Sequence, residues 1–441
     1  MSRCRAVFLA ASLLFGLGGA RAAEPAEPQT QPCPATVPAD ARCALLHDDN
    51  GAYVWFAMPK NWDGVLVVHA HGGPETSPPE PRRGAEDLDR WSVWVKAGHA
   101  WAASTYRRGG YGVRMAAEDT VRARELFLKH FPAPKRIVLH GQSWGGNVAA
   151  KTAELFPAGA DGKPLWDALL LTSGVLGGGT QSYDVRLDLR VLYQAMCHNH
   201  PLPDEPQYPL WQGLPLDSKL TRAELAKRMD QCLGIRTPAA QRTPEQQRKL
   251  DTLLKITTLP ECTLVAHMNW ATWLFQDVVL KRLDGRNPFG NEGVHYRGAP
   301  DADKLDKEVL RYKADPAGVA ALAEDSDLTG KTMLPTLTLH AIDDPTAFVE
   351  LETVYTAARD KAGSGLRLVQ VFADEHEHSF LSAPEYVAEM NALLDWVELR
   401  RKPTAQDVLA RCRQLESTFG PGCHIVVGYQ PKPLGERVPA R

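Results

Sequence analysis

The stretch LHGQSWGGN at residues 139–147 decides how this chain folds. It follows the apolar run RIVL and precedes VAAKTAELF, in which apolar residues recur with helical spacing. At the junction, Gly141, Ser143 and Gly145 form a G-x-S-x-G pattern. A sharp strand-to-helix turn strains the backbone of its serine, and side chains two positions before or after it would collide with the adjoining strand and helix. The pattern therefore predicts a turn that raises the Ser143 hydroxyl above a sheet.

Strand-like and helix-like segments alternate on both sides of this turn. Before residue 180, strands are expected at 52–59, 64–73, 99–106, 135–141 and 167–174, and helices at 87–98, 116–131 and 146–156. After residue 330, strands are expected at 334–342 and 366–373, and helices at 347–361 and 384–399. Alternation at these lengths predicts an α/β fold with a doubly wound, mostly parallel sheet.

The alternation is interrupted between residues 180 and 330. This stretch is rich in helix formers, proline and charge, and it contains no clear buried strand. It predicts a mainly helical cap, inserted between the sixth and seventh sheet strands, over the carboxyl edge where open α/β sheets bind ligands. The predicted organisation is a signal peptide at 1–22, a core formed by 23–179 and 331–400, the cap at 180–330, and a carboxyl-terminal tail at 401–441.

The first residues have the composition of an export signal. MSRCR is basic, AVFLAASLLFGLGGA is apolar, and Ala20, Arg21 and Ala22 form a small-x-small cleavage site. The apolar run is shorter than the roughly 20 residues that a spanning helix needs. The sequence predicts a secreted or periplasmic protein with no membrane span.

Cysteine usage agrees with an oxidising compartment, which favours disulfides. The cysteines after the predicted cleavage site are Cys33, Cys43, Cys197, Cys232, Cys262, Cys412 and Cys423. Cys33/Cys43 and Cys412/Cys423 are close in sequence and predict two short-loop disulfides. One of Cys197, Cys232 and Cys262 is then expected to be free, and the absence of CxxC spacing argues against structural zinc.

Bulk composition excludes some partners. The chain has 441 residues, 44% of them hydrophobic, so a substantial core is available. Its formal net charge of −3 provides no basic field for nucleic acid. The oligomeric state is left open.

Three further motifs supply groups that a reactive serine needs. HAHGGP at 69–74 ends a strand, and the amides of Gly73 and Trp144 would form a two-donor oxyanion hole. HAIDDP at 340–345 ends another strand and offers Asp343 or Asp344 as an acid. DEHEHSF at 374–380 follows the next strand and offers His376 or His378 as a base.

The order serine, aspartate, histidine resembles that of the α/β-hydrolase superfamily over roughly residues 50–180 and 330–400. HGGP, YRRGGYG (106–112) and GQSWGG look like the prolyl oligopeptidase and proline iminopeptidase branches, and the helical insertion is similar to the cap of proline iminopeptidases and many capped esterases. In relatives the acid stands three residues after a small strand-ending residue, here Ala341, which favours Asp344 over Asp343. Relatives also place a small or acidic residue and then an aromatic one after the histidine, which favours His378 over His376.

The resemblance implies a serine hydrolase that cleaves a carboxylic ester or amide through an acyl-enzyme. His378 would take the proton from Ser143, and Asp344 would hold the imidazole. No cofactor is expected, and the substrate would be a small-molecule ester or a short peptide. The alternative is an exopeptidase, which needs cap carboxylates to hold the substrate amine. Glu261 and Asp277 are the candidates.

Single motifs in the sequence also permit other functions. The pairs His69/His71 and His376/His378 could serve a metal-dependent hydrolase, although no carboxylate or cysteine cluster accompanies them. A non-catalytic binding protein on this fold normally lacks one of the three residues. Arg107 and Arg108 are expected to fix their loop through a carboxylate rather than bind substrate. Trp270, Trp273 and Phe275 are expected in the core of the cap rather than in a pocket wall.

Overall fold

The computed structural model describes residues 27–439 and 441, so the predicted signal peptide at 1–22 lies outside the described residues. Among the described residues, ten strands form one sheet in the order β1-β2-β3-β5-β4-β6-β7-β8-β9-β10. The strands are β1 (Gln29–Gln31), β2 (Arg42–His47), β3 (Tyr53–Met58), β4 (Val65–Ala70), β5 (Ala100–Ser104), β6 (Arg136–Gln142), β7 (Ala168–Thr172), β8 (Thr336–Ala341), β9 (Leu368–Ala373) and β10 (Ile425–Val426).

The centre of the sheet is parallel and its two edges are antiparallel. Strands β4 to β9 pair in parallel, whereas β1, β2, β3 and β10 join antiparallel. Every residue of β4, β5, β7 and β8 is buried, as expected of parallel strands that are covered on both faces. The mostly parallel sheet is as predicted.

Helices cover both faces of the sheet. The helices outside the long insertion are α1 (Pro81–Arg90), α2 (Val93–Lys96), α3 (Val113–His130) and α4 (Trp144–Leu155) before it, and α12 (Leu351–Lys361), α13 (Ala383–Leu399) and α14 (Ala405–Phe419) after it. Helices α1, α2, α13 and α14 share one hydrophobic core with the sheet, and α3, α4 and α12 share the other. Two cores on opposite faces are what a doubly wound sheet requires.

The stretch between β7 and β8, all of which the structure describes, contains helices and no sheet strand. The α-helices are α5 (Gly178–Gln181), α6 (Asp184–Cys197), α7 (Arg222–Leu233), α8 (Pro244–Thr257), α9 (Leu264–Asn269), α10 (Ala302–Glu308) and α11 (Pro316–Ser326). Two π-helical segments, Trp270–Leu274 and Asp277–Arg282, continue from α9. In chain order the stretch lies between the seventh and eighth of the described strands, not between the sixth and seventh as predicted. The two amino-terminal strands β1 and β2 had not been predicted.

The carboxyl-terminal residues are more closely integrated than an appended tail. Helix α14 packs on α13, and β10 pairs with β9 at the edge of the sheet. A capping box between Thr404 and Asp407 explains where α14 begins. At the end of the chain, Arg441 pairs with Asp184 and Asp188 of α6. Residues 401–441 therefore contribute to both the sheet and the helical stretch.

Three disulfides link described cysteines. Cys33–Cys43 and Cys412–Cys423 are the two short-loop pairs that the sequence predicted. The third joins Cys197 at the end of α6 to Cys232 in α7. Within the described part of the chain Cys262 is the cysteine left without a bridge. No helix in that part is both long enough and apolar enough to cross a bilayer.

Candidate active site

Ser143 occupies the turn between β6 and α4 in a strained backbone conformation. Its φ of 57° and ψ of −126° lie in a region that residues other than glycine rarely adopt. Backbone hydrogen bonds hold it there: its amide donates to the Thr172 carbonyl at 3.0 Å, and its carbonyl accepts from Gly146 and Val175 at 2.9 Å. The sheet and the start of α4 therefore impose the conformation of Ser143.

The flanking glycines have the steric role that the sequence suggested. A Cβ on Gly141 would lie 2.1 Å from the Gly145 carbonyl oxygen in α4. A Cβ on Gly145 would lie 2.0 Å from the carbonyl oxygen of Ala70 in β4. Either contact is shorter than atoms tolerate, so the turn admits only glycine two positions before and after Ser143.

The structure brings His378 and Asp344 to Ser143. The His378 Nε2 atom lies 2.7 Å from Ser143 Oγ, and its Nδ1 atom lies 2.8 Å from Asp344 Oδ2. Because the carboxylate can only accept, Nδ1 carries the proton and Nε2 is left to accept from the hydroxyl. Asp344 follows β8 and His378 follows β9, so neighbouring parallel strands place both groups at one edge of the sheet.

The alternatives that the sequence left open lie elsewhere. His376 Nδ1 pairs with Asp343 Oδ2 at 3.0 Å, and both side chains are more than half exposed. Neither of them contacts Ser143. The two residues form a surface pair beside the loop that carries His378.

Asp344 is fully buried and held in its ionised form. Its Oδ1 atom accepts from the amides of Thr346 and Ala347 at 2.8 and 2.9 Å. Burial alone raises the pKa of this carboxyl, but the adjacent His378 and His340 more than offset that and hold it well below its usual range. The carboxylate is therefore charged at neutral pH.

A second histidine behind Asp344 was not anticipated from the sequence. His340 Nε2 lies 3.5 Å from Asp344 Oδ2, and its Nδ1 lies 3.0 Å from Glu352 Oε1. Burial opposes the charged form, yet the two carboxylates raise the pKa of His340 to about 10. His340 begins the motif HAIDDP, four residues before Asp344. Nothing in the motif identified Glu352 as its partner.

Two backbone amides near Ser143 are without a hydrogen-bond partner in the part of the chain that the structure describes. Trp144 is the first residue of α4, and within the described residues neither its amide nor that of Gly73 donates a hydrogen bond. Gly73 has a φ of 65°, and a Cβ there would meet nothing within 4 Å. Gly72 is more confined, because its Cβ would lie 3.1 Å from Ser143 Cβ. Arg83 fixes this loop by donating from Nη2 to the Gly72 carbonyl at 2.8 Å.

A buried polar network holds the loop that carries His378. The sequence analysis did not predict this network. Ser379, directly after His378, has a φ of 61° and receives a hydrogen bond from the Gln142 side chain. Arg90 Nη2 donates to the Ser379 carbonyl at 2.8 Å, and its guanidinium stacks 4.3 Å from the Phe380 ring centre. Because these contacts join α1 and β6 to the loop, they orient the His378 ring.

The two histidines of HAHGGP have structural contacts. His69 Nδ1 lies 2.8 Å from His140 Nδ1, and His71 Nδ1 lies 3.0 Å from the Gly72 carbonyl oxygen. Burial lowers the pKa of both rings, so both are neutral. Among the described residues, the three potential metal ligands that converge are Glu375, Glu385 and His424, which include neither predicted histidine pair.

The carboxylates considered for holding a substrate amine are paired with arginines. Glu261 forms an ion pair with Arg242. Asp277 is buried and pairs with Arg282 at 3.1 Å, and its Oδ2 accepts from the Tyr111 amide at 2.6 Å. Neither carboxylate is left unpaired to bind an amine.

The arginines of YRRGGYG differ from each other. Arg107 forms ion pairs with Asp119, at 3.1 Å, and with Glu118, as expected of a residue that fixes its loop. Arg108 instead lines a cavity of about 300 Å³, and its Nε contacts the Met115 sulfur.

This cavity opens beside Trp144. Pro74, Tyr106 and Arg222 also line it, so it lies against Trp144 and Pro74, the residues that follow Ser143 and Gly73 in the chain. The aromatic residues expected in the core of the insertion lie in the hydrophobic core or pack against it. Phe275 is buried and stacks on Phe289 at 4.1 Å, as expected of a core residue. Trp270 and Trp273 are half-buried.

Comparisons with known proteins gave only distant likenesses. No protein-family model and no curated protein matches the chain. Among solved structures, it is similar to the rice cell wall degrading esterase LipA from Xanthomonas oryzae, with 15% identity, 86% of this chain and 91% of that chain covered, and a TM-score of 0.37. It is also similar to an esterase from Aspergillus oryzae, with 13% identity, 82% and 81% covered, and a TM-score of 0.43.

A third likeness is to Candida antarctica lipase A, with 11% identity, 90% of this chain and 92% of that chain covered, and a TM-score of 0.45. At such identities and TM-scores, neither fold nor activity is carried over to this chain.

Proposed function

We propose that this protein is a serine hydrolase that cleaves carboxylic esters through an acyl-enzyme. The observation that carries the proposal is the continuous chain from Ser143 Oγ to His378 Nε2, at 2.7 Å, and from His378 Nδ1 to Asp344, at 2.8 Å. A nucleophile, a base and an orienting carboxylate at hydrogen-bond distances are what acyl transfer by serine requires.

In the proposed reaction, Ser143 Oγ attacks the ester carbonyl carbon while His378 Nε2 takes the hydroxyl proton. The carbonyl oxygen becomes an oxyanion, which accepts from the amides of Gly73 and Trp144. His378 passes its proton to the departing alcohol oxygen as the carbon–oxygen bond breaks. Water, activated by the same imidazole, then releases the acid and restores Ser143. Asp344 stays ionised throughout and stabilises the charged imidazolium.

We further propose that the helical stretch 180–330 acts as the cap of this site. Three contacts tie it to loops around Ser143. Asp277 accepts from the Tyr111 amide, Arg282 Nη2 donates to the Gly109 carbonyl at 2.7 Å, and His267 Nε2 donates to the Pro345 carbonyl at 3.0 Å.

Ester hydrolysis is preferred to exopeptidase activity because Glu261 and Asp277 are already paired with arginines. A metal-dependent reaction is disfavoured because His378 uses both ring nitrogens on Ser143 and Asp344. Export is supported by three disulfides, which persist in oxidising compartments.

The test compares p-nitrophenyl esters of graded acyl length with alanine p-nitroanilide, alongside labelling by a fluorophosphonate. We expect ester turnover, weak or absent anilide turnover, and a single covalent adduct that peptide mapping places on Ser143. A chelator should leave the rate unchanged. Turnover of the anilide in preference to every ester would overturn the ester assignment, and labelling elsewhere would overturn the role of Ser143.

A further inference from the structure

Arg186, in the first turn of α6, is a buried cation between two aromatic rings. Only 4% of the residue is exposed. Its guanidinium carbon lies 4.6 Å from the ring centre of Tyr183 and 4.5 Å from that of Trp270. Both rings lie against the guanidinium, so its N–H groups are the part left to bind another group.

Those N–H groups lack partners. Among the described residues, no hydrogen-bond acceptor contacts the buried Nε and Nη1 atoms, and no carboxylate lies within ion-pair distance. The acids of the same helix, Asp184 and Asp188, pair instead with Arg441 at 3.1 and 2.9 Å. They lie two residues to either side of Arg186, and so on the opposite face of the helix.

Burying an unpaired guanidinium is unfavourable. Burial lowers the pKa of Arg186 to about 10, a value at which it still carries its charge at neutral pH. The two rings offset part of the desolvation, but an apolar side chain of similar volume would fill the same space at less cost. Protein contacts alone do not account for a charged residue here, and an anionic ligand would.

Aromatic contacts connect Arg186 to the chain neighbours of two proposed catalytic residues, Ser143 and Asp344. On one side, Tyr183 packs on Tyr111 at 5.9 Å, and Tyr111 packs on Trp144, the neighbour of Ser143, at 5.8 Å. Arg186 is thus separated from the nucleophile's neighbour by two tyrosine side chains.

On the other side, Trp270 packs on His267 at 5.4 Å, and His267 donates to the carbonyl of Pro345, the neighbour of Asp344. Burial, together with the charge of Arg186, lowers the pKa of His267 to about 3, and the nearby carboxylate of Asp344 acts on the same ring in the opposite direction. Arg186 therefore lies midway along an arc of side chains that starts and ends at the proposed catalytic residues.

We propose that Arg186 binds a carboxylate of the substrate, so that the enzyme prefers esters carrying a second, ionised carboxyl group. This rests on the proposed function and adds the substrate class to it. A guanidinium with both faces stacked presents a planar edge, and the planar anion that matches it with two parallel hydrogen bonds is a carboxylate.

Binding is tested without turnover in the Ser143→Ala protein. Monomethyl glutarate supplies the anionic probe, and methyl butanoate supplies the neutral one. We expect the anion to raise the melting temperature and to show saturable binding by calorimetry, and the neutral ester to do neither. Adding Arg186→Gln should weaken anion binding roughly 10- to 100-fold, the range of a charge-assisted hydrogen-bonded pair. Equal binding with and without Arg186 overturns the proposal.

Turnover gives an independent readout. The ratio of kcat/KM for mono-p-nitrophenyl glutarate to that for p-nitrophenyl butanoate should favour the anionic ester in wild type. It should fall roughly tenfold or more in Arg186→Gln, through KM, and less in Arg186→Lys, which keeps the charge but not the fork. Arg186→Met provides a second variant if the glutamine protein does not fold, because an apolar side chain suits this burial.

Arg108→Gln and Arg222→Gln are the matched controls, since both arginines line the adjacent cavity. We expect both to keep the wild-type ratio, and a loss confined to either would assign the carboxylate to that cavity instead.

The proposed ester hydrolysis and the proposed carboxylate subsite can be overturned separately. Arg186-dependent anion binding with no ester turnover overturns only the proposed function. If neutral esters are turned over and the ratio of kcat/KM for the anionic ester to that for the neutral ester is unchanged in Arg186→Gln, only the carboxylate subsite is overturned.

Discussion

Backbone hydrogen bonds hold Ser143 in its position. Its amide and carbonyl bond to Thr172, Gly146 and Val175, and these contacts compensate a left-handed φ of 57°. The hydroxyl then meets His378 without rearrangement. Because the backbone imposes this geometry, the Ser143 hydroxyl can be removed while the fold stays intact.

Ser143→Ala should therefore leave thermal unfolding almost unchanged and lower ester turnover by roughly three to six orders of magnitude, because the nucleophile is lost. Circular dichroism melting and initial rates on a p-nitrophenyl ester measure the two effects. Retention of more than about a tenth of the activity would exclude the acyl-enzyme route.

His378→Ala should cost as much activity as Ser143→Ala, and the double variant should be no worse, because the proposed triad acts as a unit. His376→Ala is the matched control two residues away. That side chain is 74% exposed and paired with Asp343, so its loss should cost about tenfold or less. An inactive His376 variant beside an active His378 variant would reverse the assignment.

The adjacent glycines of HGGP should respond differently to alanine. Gly72→Ala places a Cβ 2.4 Å from the Gln142 side-chain oxygen and 3.1 Å from Ser143 Cβ, which should displace the nucleophile and severely lower kcat. Gly73→Ala meets no atom and carries only the strain of a positive φ, about 1–2 kcal/mol. We expect Gly73→Ala to lose less activity. Initial rates and melting temperatures of the two variants test this expectation. An equal loss of activity in both variants would contradict it.

At the scale of elements, neighbouring parallel strands deliver the proposed catalytic groups and helix α6 carries Arg186. Strands β8 and β9 end beside each other, so the loops after them bring Asp344 and His378 together. Helix α6 is anchored at its carboxyl end, where Cys197 is bridged to Cys232. The bridge spans 35 residues of the helical stretch.

Replacing Cys197 and Cys232 together with alanine should lower stability by about 3–4 kcal/mol, the loop-closure entropy for a ring of this length. Cys33 and Cys43, which close a loop of 10 residues, provide the control pair with an expected loss of about 2–3 kcal/mol. Denaturant unfolding measures both. If removing the longer bridge costs less than removing the shorter one, loop closure does not account for the stabilisation.

For the whole molecule, the buried His340 links stability to pH. Its pKa of about 10 in the folded state lies above the value of 6.5 for an unperturbed histidine, so only the folded protein holds this proton between those values. The resulting stability is fully present below pH 6.5 and is lost as pH rises toward 10, at about 1.4 kcal/mol per pH unit.

Denaturant unfolding between pH 7 and 9 should therefore show falling stability in the wild type and a flatter dependence in His340→Asn. The variant should also be less stable at pH 7, because Glu352 and Asp344 lose a charged partner. Parallel slopes for the two proteins would show that His340 does not hold the proton.

Local sequence was enough to predict the parallel centre of the sheet and the Ser143 turn. Strand and helix periodicity, and the steric need for Gly141 and Gly145, are properties of short segments. They act wherever the segment lies. The two terminal disulfides were predictable for a related reason, since cysteines separated by 10 and 11 residues meet easily. The edge strands β1 and β2 escaped notice because their burial is mixed rather than continuous.

Only the tertiary structure decided the features that depend on distant contacts. The residues alone left His376 and His378 both open, and only the family resemblance favoured His378. Its contact with Ser143 depends on Arg90 and Gln142, far away in sequence, which hold the loop that carries it. The tertiary structure also joined Cys197 to Cys232 and paired β10 with β9. The surroundings of Arg186 likewise come from other elements. The direction of a loop side chain and the partners of a buried charge depend on which segments pack together, and no short stretch of sequence contains that information.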